Sequence, residues 1–442
     1  MAIISKQIGY SQESTLLYEL LRELHRLNGI VASTNNTPTE ITFAPSTAQD
    51  SFGRLRISQP FTLFDSSHRY ADNNLWSTAT ATSGTAVFNA NQGLVDLNVT
   101  AASGSSVIRE TTKVFSYQPG KSLLVMNTFV MSAAKVGLTQ RIGYYGLSNG
   151  FYLEQAGTAI SFVKRSVVTG SIVNTPILQA NWNGDKLDGT GPSGLTLDLT
   201  KAQILWMDLE WLGVGSVRMG FIINGQFIVC HTFNHANIIT STYITTASLP
   251  LRYEIFNTAG TSGASTLKQV CSTVISEGGY ELAGLQQSAG TLITAARTFA
   301  VAGTYYPIVS IRLKSTRLDA VVIVTAISLL GIGNDKNYQW RIVASATTTG
   351  GSWIDAGVNS AVQYNLTGTG ASGGRILASG FVNSSNQGSP SINILKEALF
   401  ANQLERDGLT GTPYEIVIET AVATTSGGEG AFASIDWEEV SR

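Results

Sequence analysis

Charge is what this chain has least of. Asp, Glu, Lys and Arg make up 13% of its 442 residues, about half the roughly 25% usual for soluble domains. With 28 basic and 30 acidic residues the formal net charge is -2, so no electrostatic field draws it to nucleic acid or to an anionic membrane. Cysteine is equally scarce. Cys230 and Cys271 cannot form a disulfide framework, and their apolar, strand-like surroundings predict buried free thiols. The longest apolar run, Ala320 to Ile332, is far short of the roughly 20 residues that span a bilayer. Met1-Ala-Ile-Ile-Ser-Lys6 lacks the charged-then-apolar order of a signal peptide, so synthesis in a cytoplasm, with the chain soluble or assembled there, is expected. Gly-x-Ser-x-Gly, Walker and Cys-x-x-Cys motifs are missing, and only four histidines occur. Nucleophilic catalysis therefore has no visible candidate, and no cofactor is implied.

What is present is small, polar and strand-forming. Hydrophobic residues reach 43% and glycine numbers 44, and Ser, Thr, Asn and Ala fill much of the rest. A polar but uncharged surface suits a protein that buries its exterior against copies or neighbours. The length exceeds one ordinary core, so two domains are expected.

The clearest local signal is a hairpin. Trp206-Met-Asp-Leu-Glu-Trp211-Leu-Gly-Val-Gly-Ser-Val-Arg-Met-Gly-Phe221 leads to Asn224-Gly225, and Gln226 to Asn237 runs back. Asn-Gly between alternating runs predicts a type I′ turn, which needs positive φ at both central positions. Further strands are read at Arg54–Ile57, Ser106–Tyr117, Ser122–Ser132, Gln140–Leu147, Gly150–Gln155 and Ile160–Val168. Their punctuation by Gly, Asn and Ser has the spacing of a β-sandwich or jelly roll. A boundary is placed at Glu277-Gly-Gly279. Beyond it Thr291–Val301, Ile308–Lys314, Asp319–Leu330, Gln339–Ser345, Arg375–Val382 and Tyr414–Ala423 read as strands, with Thr347–Ser352 and Thr367–Gly374 as loops and a short helix at Ile394–Gln403.

The expected fold is all-β. Residues 51–278 form a lectin-like sandwich and 279–442 a second, smaller one, both preceded by an N-terminal helix and arm (1–50). The helix runs from Ser11 to Leu27, where Leu17, Leu20, Leu24 and Leu27 make an apolar stripe suited to oligomerisation or anchoring.

Three constellations are weighed for chemistry. Asp208 and Glu210 share a strand face about 7 Å apart, within the range of glycosidase carboxylate pairs. The competing reading is a solvent-facing stripe, with Met207, Leu209 and Trp211 turned to the core. His231 and His235, on one strand face on the order of 13 Å apart, supply too few converging ligands for a metal, and loop-fastening hydrogen bonds are the expectation. Asn181, Asn183, Asp185 and Asp188 alternate oxygens as calcium loops do, against a loop closed on itself by Asx turns. Among aromatics in or beside loops, Tyr144, Tyr145, Trp182, Tyr305 and Tyr306 are the candidates for glycan or partner contact, with core packing as the alternative. Phe151, Tyr152, Trp353 and Tyr364 are weighed the same way.

Several segments resemble a family of structural proteins of tailed bacteriophages, especially phages of aquatic bacteria. They are Asp50-Ser-Phe-Gly-Arg-Leu-Arg-Ile-Ser58 running into Phe61-Thr-Leu-Phe-Asp65, Tyr117-Gln-Pro-Gly-Lys-Ser122, Asp188-Gly-Thr-Gly-Pro-Ser-Gly194, and the ending His231-Thr-Phe-Asn-His-Ala-Asn237. The resemblance covers mainly residues 50–280. It implies a lectin-like sandwich in a virion without fixing the location, and a fibre or a neck- or baseplate-associated appendage is the expected placement. The resemblance carries no catalytic residues; the expected partners are copies of the chain itself (a trimer first), other virion proteins and, from the aromatic candidates, host surface polysaccharide. A capsid decoration or head fibre is the alternative placement, and a polysaccharide-degrading glycosidase the rival function.

Overall fold

A computed structural model describes residues 19, 22, 23, 50, 59–385, 392–393 and 402–441. The chain divides into a unit of residues 1–46 and a unit of residues 47–442. Leu17, Leu20, Leu24 and Leu27, the Arg54–Ile57 strand and most of the Ile394–Gln403 helix lie outside the described residues.

The larger unit is all-β and antiparallel. The first sandwich uses β1 (Pro60–Ser67), β2 (Trp76–Ala81), β3 (Thr85–Asn89), β4 (Leu94–Val99), β5 (Ser106–Thr111), β6 (Ser122–Val130), β7 (Leu138–Tyr145) and β8 (Gly150–Ala156). It continues through β9 (Ala159–Ser166), β10 (Val173–Leu178), β11 (Gln203–Leu209), β12 (Val217–Ile223), β13 (Gln226–Phe233), β14 (Leu251–Asn257) and β15 (Ser265–Glu277). One sheet has eight strands, ordered β13-β12-β11-β6-β15-β4-β3 with β1 beside β15, and the facing sheet has seven, ordered β10-β9-β8-β7-β14-β5-β2. Period-two alternation sends Val125, Leu205, Met207 and Phe221 of one sheet against Ile142, Leu153, Phe162 and Tyr253 of the other, all nearly solvent-free.

The hairpin forms as expected. Asn224 and Gly225 have φ of 52° and 75°, and Ile223 pairs with Gln226 across the turn. Cys230 is buried, but Cys271 is exposed. The pairing of β15 with β6 shifts between Gln269 and Cys271, so the simple alternation that predicted a buried thiol does not hold there.

The second sandwich comprises β16 (Leu285–Gly290), β17 (Arg297–Thr298), β18 (Tyr306–Leu313), β19 (Val321–Ile332), β20 (Asn337–Thr349), β21 (Ile354–Asp355), β22 (Val362–Asn365) and β23 (Gly370–Asn383). It ends with β24 (Ile392–Asn393), β25 (Arg406–Asp407), β26 (Thr412–Pro413), β27 (Glu415–Val422) and β28 (Gly430–Ser441). A five-stranded and a six-stranded sheet enclose a core around Ile311, Val322, Ile418, Ile435 and Trp437. Two expectations are corrected here. Thr291–Val301 is mostly irregular, with strand only at Arg297–Thr298. Of the Gly/Thr segments expected as loops, 350–352 and 367–369 are loop, but 347–349 and 370–374 extend a long β20–β23 ribbon, in which Gly370 pairs with Thr349, because backbone pairing does not require apolar side chains.

The two sandwiches are tied together inside this unit. The Arg406 amide donates to Thr112 O at 2.8 Å, Gln403 Nε2 donates to Val114 O at 2.8 Å, and Val114 packs with Val321 and Ile323.

Candidate binding face on the seven-stranded sheet

The outer face of the seven-stranded sheet is unusual for a chain so poor in charge. Along β14, Leu251, Tyr253 and Ile255 face the core, so Arg252, Glu254 and Phe256 face outward. Registry places Arg252 between Glu110 on β5 and Gly143 on β7, and Glu254 beside Arg141. On β8, Glu154 pairs with Arg141 and Tyr152 with Gly143. Gly150 stands between Tyr145 on β7 and Arg165 on β9. Outward positions of five neighbouring strands therefore collect Arg, Glu and Tyr on one surface.

The charges form a continuous chain. Arg252 Nη1 lies 3.0 Å from Glu110 Oε2, and Arg252 Nε lies 2.6 Å from Glu254 Oε1. Arg141 Nη1 meets Glu254 Oε2 at 3.2 Å, and Arg141 Nε meets Glu154 Oε2 at 2.6 Å. Arg406, from the second sandwich, reaches Glu110 Oε1 at 2.8 Å.

Aromatic rings interleave with the guanidinium groups. Arg165 sits 5.4 Å from the Tyr145 ring and 5.2 Å from Tyr152, Arg252 sits 5.6 Å from Tyr145, and Arg141 sits 5.4 Å from Tyr152 and 4.9 Å from Phe256. Gly150 makes this possible. A Cβ there would come within 2.4 Å of Tyr145 Cα and Cβ, so any larger residue would lift the ring on which Arg165 rests.

The electrostatics reinforce the arrangement. Burial acts against the Arg141 charge, but Glu254, Tyr152, Tyr145 and Glu154 outweigh it, and its pKa stands above the ordinary value. Arg252 is raised for the same reasons, burial opposed by Glu254, Tyr145 and Glu110. Burial pushes the Tyr145 and Tyr152 phenols up, so both rings are neutral. A cavity of about 410 Å³ opens on this face, lined by Arg141, Arg165, Arg252 and Glu254 together with apolar Ile108 and Phe256. Its size suits a small ligand or part of a polymer. Guanidinium forks offer paired donors to carboxylates, phosphates or hydroxyls, and Phe256 offers an apolar surface.

The aromatic candidates are placed differently from the surface role weighed for them. Tyr144 is buried, its hydroxyl donating to Phe115 O and Ala247 O at 2.5 and 2.6 Å. Trp182 is buried and stacks on Phe162 with centroids 4.3 Å apart. Tyr145 is also solvent-free; it supports the arginines from below and is not itself a contact surface. Phe151 and Tyr152 are buried as well. Side chains this large lose too much free energy in water to stand exposed where a sheet can cover them. Tyr305 and Tyr306 are half-buried in the second sandwich, with Arg341 3.8 Å from the Tyr305 ring and Arg297 5.2 Å from Tyr306.

Asp208 is not solvent-facing. It is fully buried, with Arg218 Nε donating to Oδ2 at 3.0 Å and Ser122 donating to Oδ1. Glu210 is buried too, just past the end of β11. The 181–188 loop closes on itself. Asp185 accepts from the Leu187 and Ser193 amides at 2.9 and 2.7 Å, and Asp188 accepts from the Thr190 amide at 2.9 Å, which is the Asx-turn arrangement. His231 Nδ1 accepts from the Asn183 amide at 3.3 Å, and His235 Nδ1 donates to Gly215 O at 2.7 Å. Burial lowers both pKa values to about 4. Both histidines fasten loops.

The sequence reading missed the arginine face itself. Its signal was present as Arg and Glu at alternate positions within otherwise apolar strands, as in Leu251-Arg-Tyr-Glu-Ile255.

No protein-family model and no curated protein matches this chain. Solved structures similar to parts of it include the carbohydrate recognition domain of Emp47p, with 11% identity, 49% of this chain and 97% of that one covered, and a TM-score of 0.32. A Bacteroides ovatus mixed linkage glucan GH16 structure in complex with product is 10% identical, covering 48% of this chain and 99% of that one, with a TM-score of 0.34. The receptor binding domain of botulinum neurotoxin D is 10% identical, covering 50% of each chain, with a TM-score of 0.30.

Proposed function

We propose that this chain is a non-enzymatic structural protein of a tailed-phage virion, carried on a fibre or a neck- or baseplate-associated appendage, and that its arginine-bearing sheet face touches host surface polysaccharide. The observation that carries the contact role is the open cavity between ion-paired, ring-supported arginines, a preorganised set of donors that needs little ordering to bind. Glu254 in the cavity is held by Arg141 and Arg252, and Asp208 is held by Arg218. Carboxylates engaged in this way brace the sheet and do not face a scissile bond. The virion placement rests on the segments between residues 50 and 280 that resemble phage structural proteins. In this reading the segment 1–50, with Leu17, Leu20, Leu24 and Leu27, anchors copies of the chain, as a trimer, to neighbouring virion proteins.

Two measurements test the proposal. Mass spectrometry of purified particles should detect the protein at a fixed stoichiometry, and purified protein should be retained on immobilised host polysaccharide without releasing new reducing ends. Protein abundant in infected cells but missing from purified particles would overturn the placement, and release of reducing ends would overturn the non-enzymatic reading.

A further inference from the structure

We propose that the cavity selects an acidic sugar, with Arg165 holding the anionic group; this rests on the glycan-contact reading above. The argument is a charge inventory. Arg141 is matched by Glu154 and Glu254, Arg252 by Glu110 and Glu254, and Arg406 by Glu110. Arg165 differs, because its partners are all neutral. Its Nε donates to Asn174 Oδ1 at 3.0 Å, Nη1 to Gly146 O at 3.3 Å and Leu147 O at 3.5 Å, and Nη2 to Tyr152 Oη at 3.4 Å. Four arginines (141, 165, 252, 406) against three glutamates (110, 154, 254) leave one positive charge in excess, and of these four Arg165 is the one with no ion-paired carboxylate among the described residues.

Arg165 is only 7% exposed, and a buried cation is costly unless paired. The Tyr145 and Tyr152 rings supply part of the compensation. A ligand carboxylate or phosphate would supply the rest. Donors stand ready beside it, since no hydrogen bond among the described residues occupies Nη2 of Arg141 or of Arg252. Ile108 and Phe256 line the same cavity and offer an apolar surface to the C–H face of a sugar ring. A neutral sugar satisfies the hydroxyl contacts but leaves the excess charge unmatched.

The test titrates the full chain by calorimetry with two matched pairs: trigalacturonate against its methyl ester, and maltotriose phosphate against maltotriose. At least one acidic member should bind ten-fold or more tighter than its neutral partner, with the advantage shrinking as salt rises. Whichever acid binds identifies the anion as carboxylate or phosphate. Arg165→Gln loses the hydrogen bonds to Asn174, Gly146, Leu147 and Tyr152 and both ring contacts, so a lower Tm is expected and binding is compared below the melting transition, where the variant is folded. There it should abolish that acid preference. Arg165→Lys should restore part of it, and Ser106→Trp, which fills the cavity, should remove binding of every probe. Equal affinity within both pairs would overturn the acid selectivity and leave the glycan reading intact. Absence of binding to all four would overturn both.

Discussion

The two sandwiches spend the same scarce residue types in opposite ways. In the first, Arg141, Arg165 and Arg252 share Tyr145, Tyr152 and Phe256 on one face, and three glutamates join Arg141 and Arg252 into a chain of ion pairs. In the second, three arginines each have a ring of their own. Arg312 lies 4.0 Å from Trp353, Arg341 lies 3.8 Å from Tyr305 and Arg297 lies 5.2 Å from Tyr306. Arg341 with Glu419 and Lys314 with Asp355 are separate ion pairs. Isolated pairs of this kind fasten strands. A shared, buried network fixes the position of every group in it and so can present a shaped surface. Content of charge is therefore a poor guide to a binding face, and its concentration on adjacent strands is a better one.

The largest expected effect comes from cutting the network. Arg252→Met leaves Glu110 with Arg406 alone and Glu254 with Arg141 alone in a buried setting and should cost about 3 kcal/mol, read as a lower urea midpoint. A cost below about 1 kcal/mol would mean the chain of charges is not a unit. Next is Gly150→Val. Gly150 holds a φ of 131° and has no room for a Cβ, so about 1–3 kcal/mol should be lost, together with polysaccharide binding as the ring beneath Arg165 shifts. Stability loss with binding intact would separate the rings from the contact role.

Acid should also distinguish the sandwiches. His68, His231 and His235 all sit in the first, and burial lowers each to about 4, with Arg109 adding to the effect at His68. The unfolded chain takes up protons near pH 6.5, and the folded chain does not until about 4. Stability is therefore flat above pH 6.5 and falls as pH drops from there toward 4. Tm measured from pH 7.5 to 5 should decline, and His231→Gln should flatten the slope. A flat profile in the parent chain would show these histidines titrating alike in both states. The smallest effect belongs to the second sandwich. Lys314→Met breaks a pair whose Asp355 is 55% exposed, so water screens it and the change should stay within about 1 kcal/mol.

Much of the architecture could be read residue by residue. Asn224-Gly225 announces its turn because few other pairs tolerate two positive φ values, and the alternation in the second half of Ser122–Val130 marks a strand because burial has period two. Arg375–Val382 was legible as strand, but the Gly-rich stretch 370–374 before it misled, because a ribbon can be held by backbone bonds alone. The aromatic candidates misled for a different reason. Tyr144 and Trp182 flank turns in the chain, yet packing against distant strands buries them.

Local pattern thus sufficed for the strand-forming character, the hairpin and the antiparallel layers, since each depends on neighbours a few residues apart. The arginine face did not follow from it. Arg252 and Glu110 are 142 positions apart, and Arg406 arrives from another sandwich altogether. Coulomb energy acts through space, so which charges meet was settled when β5, β14, β7, β8 and β9 took their places side by side.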